Sequence, residues 1–412
     1  MSHVASWHAH DGGMSTSTTA HPPVADHPRV ADPLRVTDQS WESSRPRLPD
    51  QPRATHPHRL DALRLGHVAG FPGLPVHLRA DRVNRHTFCG GRDPAQRAHA
   101  VSALVERALV GTSLSLVVLD LDGSLSGIEP PAAQAGGSRS DPREVLHLHP
   151  DSVHRPLRIR FADLPVRSRA ALLGLDPATD RTELNALVHV WSEGRALELG
   201  TLAPALRDLG TAGALRLAER VDLLTLPEWQ TVWAAEEPAV TDALATAPAG
   251  VLDLAGYPGR EQRLTVALGV LDHLLARRDD GGQVLVVLHG ADHLCPPDTT
   301  SPVERAVRNR VVQLALEGHR HGLWLVVSAP APADVHRGVL SRCTNALLTP
   351  TVTEADLTEL GAALPHLPLD MLTRAEHLGA GEALAAGPFV HRDVVVTLRD
   401  RPQATTMRRG RD

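Results

Sequence analysis

The chain has 412 residues and a net charge of −6, so no overall basic field draws it to nucleic acid, and any DNA contact would need a local patch. Hydrophobic residues make up 42% and charged residues 22%, as in an ordinary folded chain, but aromatics are only 3%, which leaves Leu, Val and Ala to fill the core. No apolar run approaches the roughly 20 residues of a membrane span, and the opening MSHVASWHAHDGG lacks the basic start and apolar stretch of a signal peptide, so a cytoplasmic protein without membrane contact is expected.

Residues 1–58 are rich in Pro, His, Ser, Thr and Asp without helical or strand period, and are expected to form a disordered tail. A domain spanning 59–412 follows. Short strand-like segments in LDALRLGHVAG and LPVHL lead to a strand, turn and helix at RHTFCGGRDPAQRAHAVSALVERALV, where Val101, Leu104, Val105 and Ala108 recur at helical spacing. The apolar run SLSLVVLDLDG reads as a buried parallel strand ending in a turn at Asp120, Asp122 and Gly123, with metal binding by these carboxylates as the alternative.

A Pro/Gly/Ser-rich loop then precedes LRIRFADL, read as a further strand. Helical patterning through ELNALVHVWSEG, ALRLAERVDLL and WQTVWAA predicts an inserted helical subdomain at about 165–245, with Trp229 and Trp233 one helical turn apart. Strand GVLDLAGY, helix EQRLTVALGVLDHLLARR, strand QVLVVLHGA, helix SPVERAVRNRVVQLALEG and strand LWLVVSAP follow. A helix over 354–363 and a last strand near DVVVTLR close the pattern. Alternating strands and helices predict a doubly wound, mostly parallel α/β sheet. Cys89, Cys295 and Cys343 show no CxxC spacing and are read as buried thiols, so no metal site is assigned.

The turn after Cys89 has the position of a phosphate-binding P-loop, GxxxxGK[ST]. Aligned on that pattern, Gly91 takes the first glycine, and Arg92, Asp93, Pro94, Ala95 and Gln96 complete the loop. Arg97 stands at the lysine and Ala98 at the Mg²⁺-ligating hydroxyl. Proline offers no N–H to a phosphate, and alanine has no oxygen for a metal. No lysine can substitute from elsewhere, because all 42 basic residues are arginine. On the strand QVLVVLHGADHLCPP, His289 and Gly290 replace the expected Asp-Glu pair, and Asp292 lies past the strand end.

From about residue 60 to 398 the sequence resembles HerA-type ATP-binding proteins of the HerA/FtsK superfamily. The resemblance rests on ordered segments: GHVAG…PVHL with RHTF, LLGLDPATDRTELNAL, LAERVDLL, VLDLAGY, ALGVLDHL, ALEGHRHGLWLVVS, ADVHRGVLSRCTNALL and GEALAAGPFV. It implies a RecA/FtsK-like P-loop NTPase fold, ATP with Mg²⁺ as ligands, and ring assembly in which nucleotide lies between subunits. Against the family pattern, Ala329-Pro330-Ala331 replaces a Gln-Arg pair and Pro350 replaces an arginine. His319-Arg320 stands for a basic pair, so Arg320 is the candidate for a charge reaching a neighbour's phosphate.

These departures support a non-hydrolysing or weakly nucleotide-binding paralogue, acting as a ring or regulatory subunit. ATP binding is expected to be weak and independent of Mg²⁺, and the partners expected are further copies of the chain or an intact HerA-like ATPase, with DNA a further candidate. The alternatives are an active DNA-translocating motor with Arg97 in place of lysine, and an interaction module that never meets nucleotide.

Overall fold

The computed structural model describes residues 63–129, 144–194, 198–234, 239–350 and 352–399; the tail expected over 1–58 lies outside them. Eleven strands make one sheet in the order β2-β1-β11-β10-β9-β3-β8-β7-β4-β6-β5. Its parallel body holds β3 (Thr87–Gly90), β4 (Ser115–Asp120), β5 (Val145–Leu148), β6 (Ala249–Asp253), β7 (Val284–His289), β8 (Leu323–Ala329) and β9 (Asn345–Leu348). An antiparallel wing of β1 (Arg64–Val68), β2 (Phe71–His77), β10 (Glu382–Ala386) and β11 (Val394–Leu398) extends the β9 edge.

The strands VLVVLH and LWLVVSA are buried almost throughout, as expected of strands with helices on both faces. Side chains alternate between two cores. Leu116, Val118, Leu285, Val287 and Val326 point to the face covered by α1 (Pro94–Gly111), whose Val101, Leu104, Val105 and Ala108 pack there. Val117, Leu119, Val286, Leu288 and Val327 point to the other face. That face carries α7 (Arg260–Ala276) and α9 (Pro302–Glu317), with Leu268, Leu271, Val307 and Val311 in its core. Between β5 and β6, among the described residues, run α2 (Val166–Leu172), α3 (Arg181–Ser192), α4 (Leu199–Leu209), α5 (Ala212–Leu223) and α6 (Val240–Thr246). The remaining helices are α8 (Ala291–Leu294), α10 (Arg337–Leu340), α11 (Glu354–Ala363) and α12 (Leu369–Leu372).

Two local expectations are corrected. LRIRFADL is not a sheet strand: Ile159 makes a single bridge to Trp233, and Phe161–Asp163 turns as a 3-10 helix. Trp229 and Trp233 do not share a helix either. Trp229 closes the short 3-10 turn Leu226–Glu228, while Trp233 packs edge-to-face on Phe161 at 5.9 Å and donates its indole N–H to Leu226 O at 2.8 Å. Here the aromatic contacts and a buried indole partner decide the local path, overriding helical spacing.

Among the described residues, no helix is long and apolar enough to cross a membrane. Cys89, Cys295 and Cys343 are free and buried, and burial pushes the Cys89 and Cys295 thiols up to about 12, so all of these behave as apolar filler.

Candidate nucleotide site

The loop between β3 and α1 lies at the carboxyl edge of the parallel strands, where ligands of open α/β sheets bind. Its geometry starts at Gly91, whose φ of +150° lies outside the range that L side chains readily adopt. A Cβ there would stand 1.9 Å from Thr349 Oγ1, so the loop after β9 presses directly on this glycine. The Gly91 N–H donates to Pro330 O at 3.3 Å, in the stretch after β8.

The next donors are equally committed. Asp93 is the N-cap of α1, followed by Pro94 in the first turn, and its Oδ1 accepts from Ala95 N at 2.9 Å and Gln96 N at 3.1 Å. These are the amides that a helix N-terminus would offer to a phosphate. A carboxylate of this chain already occupies them. Gln96 Oε1 accepts from Gly381 N at 3.0 Å, and exposed Arg92 makes a forked pair with buried Asp356 at 3.0 and 3.1 Å.

Arg97 turns back into the loop. Its Nη1 donates to Gly91 O at 2.6 Å, and the residue is only 5% exposed. Burial lowers the pKa of its guanidinium, while the charges of Asp292 and Asp122 oppose that shift. The cation sits where a lysine would reach toward phosphates, but it bonds its own loop carbonyl. Buried Ala98 follows, packed in the core of the α1 face.

Across the strand ends, parallel register sets Asp120 beside His289, and His289 beside Ser328. All three are fully buried. His289 Nε2 lies 3.0 Å from Ser124 Oγ and 3.3 Å from Asp122 Oδ2, and Nδ1 lies 3.0 Å from Ser328 Oγ. The hydrogen bond from His289 holds the Asp122 carboxyl well below the usual carboxylate range. Burial raises Asp120 to about 6, against the stabilising N–H of Leu125. Ligand atoms of Asp120, Asp122 and His289 all fall within 4.8 Å of one another. Asp120 does serve as a turn acceptor, from Gly123 N at 3.1 Å and Leu125 N at 2.8 Å, but a turn is only part of its setting. Gly290 has φ +89° and starts α8 in the left-handed region, and a Cβ there would meet Leu121 Cβ at 3.0 Å. Asp292 is half-buried beyond it, near enough to be felt by Arg97.

No family model matches the sequence, and no curated protein does. Among solved structures, VirB4 of Thermoanaerobacter pseudethanolicus superposes with a TM-score of 0.60 at 14% identity, covering 82% of this chain and 96% of that one. The chain shares the fold of that VirB4 structure. The genome-packaging NTPase B204 from Sulfolobus turreted icosahedral virus 2 overlays more loosely, with a TM-score of 0.37 at 8% identity over 78% of this chain and all (100%) of that one. The cytoplasmic domain of the type VII secretion ATPase EccC from Thermomonospora curvata gives 0.35 at 13% identity, over 82% of this chain and 29% of that chain.

In this fold residues 91–98 stand together at the start of α1, while His289 ends β7, separated from β3 by β8, and Gly290 follows it. Arg320 is exposed in the 3-10 turn Gly318–His321 before β8, at the opposite edge of the sheet from the loop. It therefore does not join the site of its own chain. ATP with Mg²⁺ does not fit the residues present: Asp93 and Pro330 hold the amides, Arg97 is bonded inward, and Ala98 carries no metal-ligating oxygen. Sequence reasoning missed Asp93 as a cap, although the Asp-Pro pair opening the helix was its signal. Asp120 and Asp122 were legible as a metal alternative to a turn, but their meeting with His289 was missed, since no local signal exists for it.

Proposed function

We propose that this chain is a HerA/FtsK-type ATPase paralogue that does not hydrolyse ATP and serves as a ring or regulatory subunit beside an intact HerA-like ATPase. The observation that carries the reading is the self-satisfied phosphate loop. Asp93 occupies the helix amides, and the Arg97 guanidinium is buried against Gly91 O. A phosphate would have to displace one carboxylate and pull a desolvated cation from its acceptor. The helix dipole favours an anion by only about 0.3–1 kcal/mol, and Asp93 already benefits from it. Nucleotide binding is therefore weak and independent of Mg²⁺. DNA is a secondary partner at most, reached through the assembled ring, given the net charge of −6.

The test is phosphate release from Mg²⁺-ATP by the purified chain, together with co-purification with an intact HerA-like paralogue expressed in the same cell. Turnover at background and a stable complex are expected. Mg²⁺-dependent turnover that Arg97→Ala abolishes would overturn the catalytic half of the reading. Failure to associate with any intact paralogue would overturn the subunit role.

A further inference from the structure

The site at the ends of β4 and β7 has ligand chemistry that the closed nucleotide loop does not use. Asp120, at the end of β4, and His289, at the end of β7, are register partners whose side chains project to the α1 face. Asp122, two residues on, turns back so that Oδ2 lies 3.3 Å from His289 Nε2. Two ligands bound at about 2.0–2.2 Å in near-tetrahedral geometry stand roughly 3.3 Å apart, which is this separation. Ser124 Oγ, 3.0 Å from the same nitrogen, adds a neutral oxygen.

Two further observations separate this constellation from an ordinary strand-end turn. The imidazole is oriented from behind, with Ser328 Oγ 3.0 Å from Nδ1. With Nδ1 donating to Ser328 Oγ, and an ion in place of the Nε2 hydrogen that faces Asp122, the Nε2 lone pair is a ligand. A hydrogen-bonded second ring nitrogen is the usual support of a histidine ligand. The site also has an entrance: Asp120 and His289 are buried, whereas the Asp122 side chain is 43% exposed. Charge favours a cation despite nearby Arg97. Asp120 and Asp122 are joined by Asp253, the register partner of Asp120 on β6, whose carboxylate lies close to Gly123.

We infer that Asp120, Asp122 and His289 form a binding site for a divalent transition-metal ion, Zn²⁺ or Mn²⁺, with Ser124 as an auxiliary oxygen and Ser328 positioning the imidazole. One imidazole with two carboxylates suits such ions better than Mg²⁺ or Ca²⁺, which take oxygen ligands alone. The site is independent of nucleotide, since no residue of the 91–98 loop contributes a ligand.

The experiment is competition for Zn²⁺, and separately Mn²⁺, against a chromophoric chelator at neutral pH without nucleotide. It uses the full chain, Asp122→Asn, His289→Gln and Ser328→Ala. Histidines of the first 58 residues are present in every protein and supply a common background, so the result is read as the difference between variants. One tight equivalent in the wild type is expected, weakened at least tenfold or lost in Asp122→Asn and His289→Gln. Ser328→Ala, which removes only the support, should weaken it by about 10–100-fold while keeping the stoichiometry. Equal stoichiometry and affinity in the wild type and Asp122→Asn would overturn the site. Because Asp122 is partly exposed, that comparison decides the matter even if His289→Gln fails to fold.

Discussion

At Gly91 the backbone conformation and the space around it make the same demand. Alanine there would have to hold φ near +150° with its Cβ 1.9 Å from Thr349 Oγ1. Gly91→Ala should lower unfolding stability by about 1–3 kcal/mol in urea titrations. Gly73→Ala, where nothing lies within 4 Å of the added Cβ, should stay within about 0.5 kcal/mol. Equal losses at the two positions would contradict the tight packing of the loop.

His86 supplies a pH-dependent residue outside the site. Its Nδ1 accepts from Leu325 N at 2.9 Å, and burial, aided by the charges of His319, Arg85 and Arg342, lowers its pKa from 6.5 to about 4. The unfolded chain takes up this proton first, so the stabilisation is present above pH 6.5 and is lost as pH falls toward 4. Asp120 runs the other way. Its folded chain holds a proton more tightly, so that contribution is present below its ordinary value of 3.8 and is lost as pH rises through about 6. The two partly cancel in the wild type. A comparison with His86→Asn isolates the first: the stability gap between wild type and variant should narrow as pH falls from 7 to 4, by on the order of 2–3 kcal/mol. Parallel pH curves would exclude this role for His86.

At the scale of elements, α1 is both a core helix and the wall of the site. Its inner residues fill the face of β4, β7 and β8, while its first turn is closed by Asp93. Asp93→Ala should cost about 1 kcal/mol by removing the cap, measured as a fall in the urea midpoint. It should not produce hydrolysis, because Arg97 remains bonded to Gly91 O and Ala98 still lacks a metal ligand. Phosphate release by Asp93→Ala would mean that the cap alone silences the loop.

The end of β7 imposes a further barrier. Restoring the family pattern takes Pro94→Gly, Gln96→Gly, Arg97→Lys, Ala98→Thr, His289→Asp and Gly290→Glu together. Yet a side chain at 290 must accept φ +89° and a 3.0 Å approach to Leu121 Cβ. The six-fold variant is therefore expected to be less stable than the wild type as well as weakly active, and thermal unfolding checks the first of these.

For the whole molecule, the sheet separates the loop of residues 91–98 from Arg320. The loop of residues 91–98 lies at the carboxyl edge, and Arg320 lies exposed at the amino edge before β8. One chain cannot bring them together, whereas neighbouring subunits of a ring can. Light scattering should show assembly of the chain alone or with an intact paralogue, and Arg320→Ala should weaken it. A monomer at every concentration and in every mixture would refute a ring.

Much of the architecture was legible in the sequence because the signals are local. The apolar runs of β4, β7 and β8 mark strands buried on both faces, and the spacing of Val101, Leu104, Val105 and Ala108 marks one face of α1. The departures from the P-loop pattern at Pro94, Ala98, His289 and Gly290 were likewise visible, since they concern which atoms a residue possesses. Tertiary structure decided what those atoms do instead. EALAA becomes β10 because β9 and β11 pair with it on either side, not through the strand preference of alanine. The inward turn of Arg97 is fixed by Gly91 O, and Gly91 itself lies against Thr349 of a loop distant in the chain. Asp120 and His289 meet because β4 and β7 pair in one particular register, and a parallel sheet sets that register through contacts absent from either segment alone.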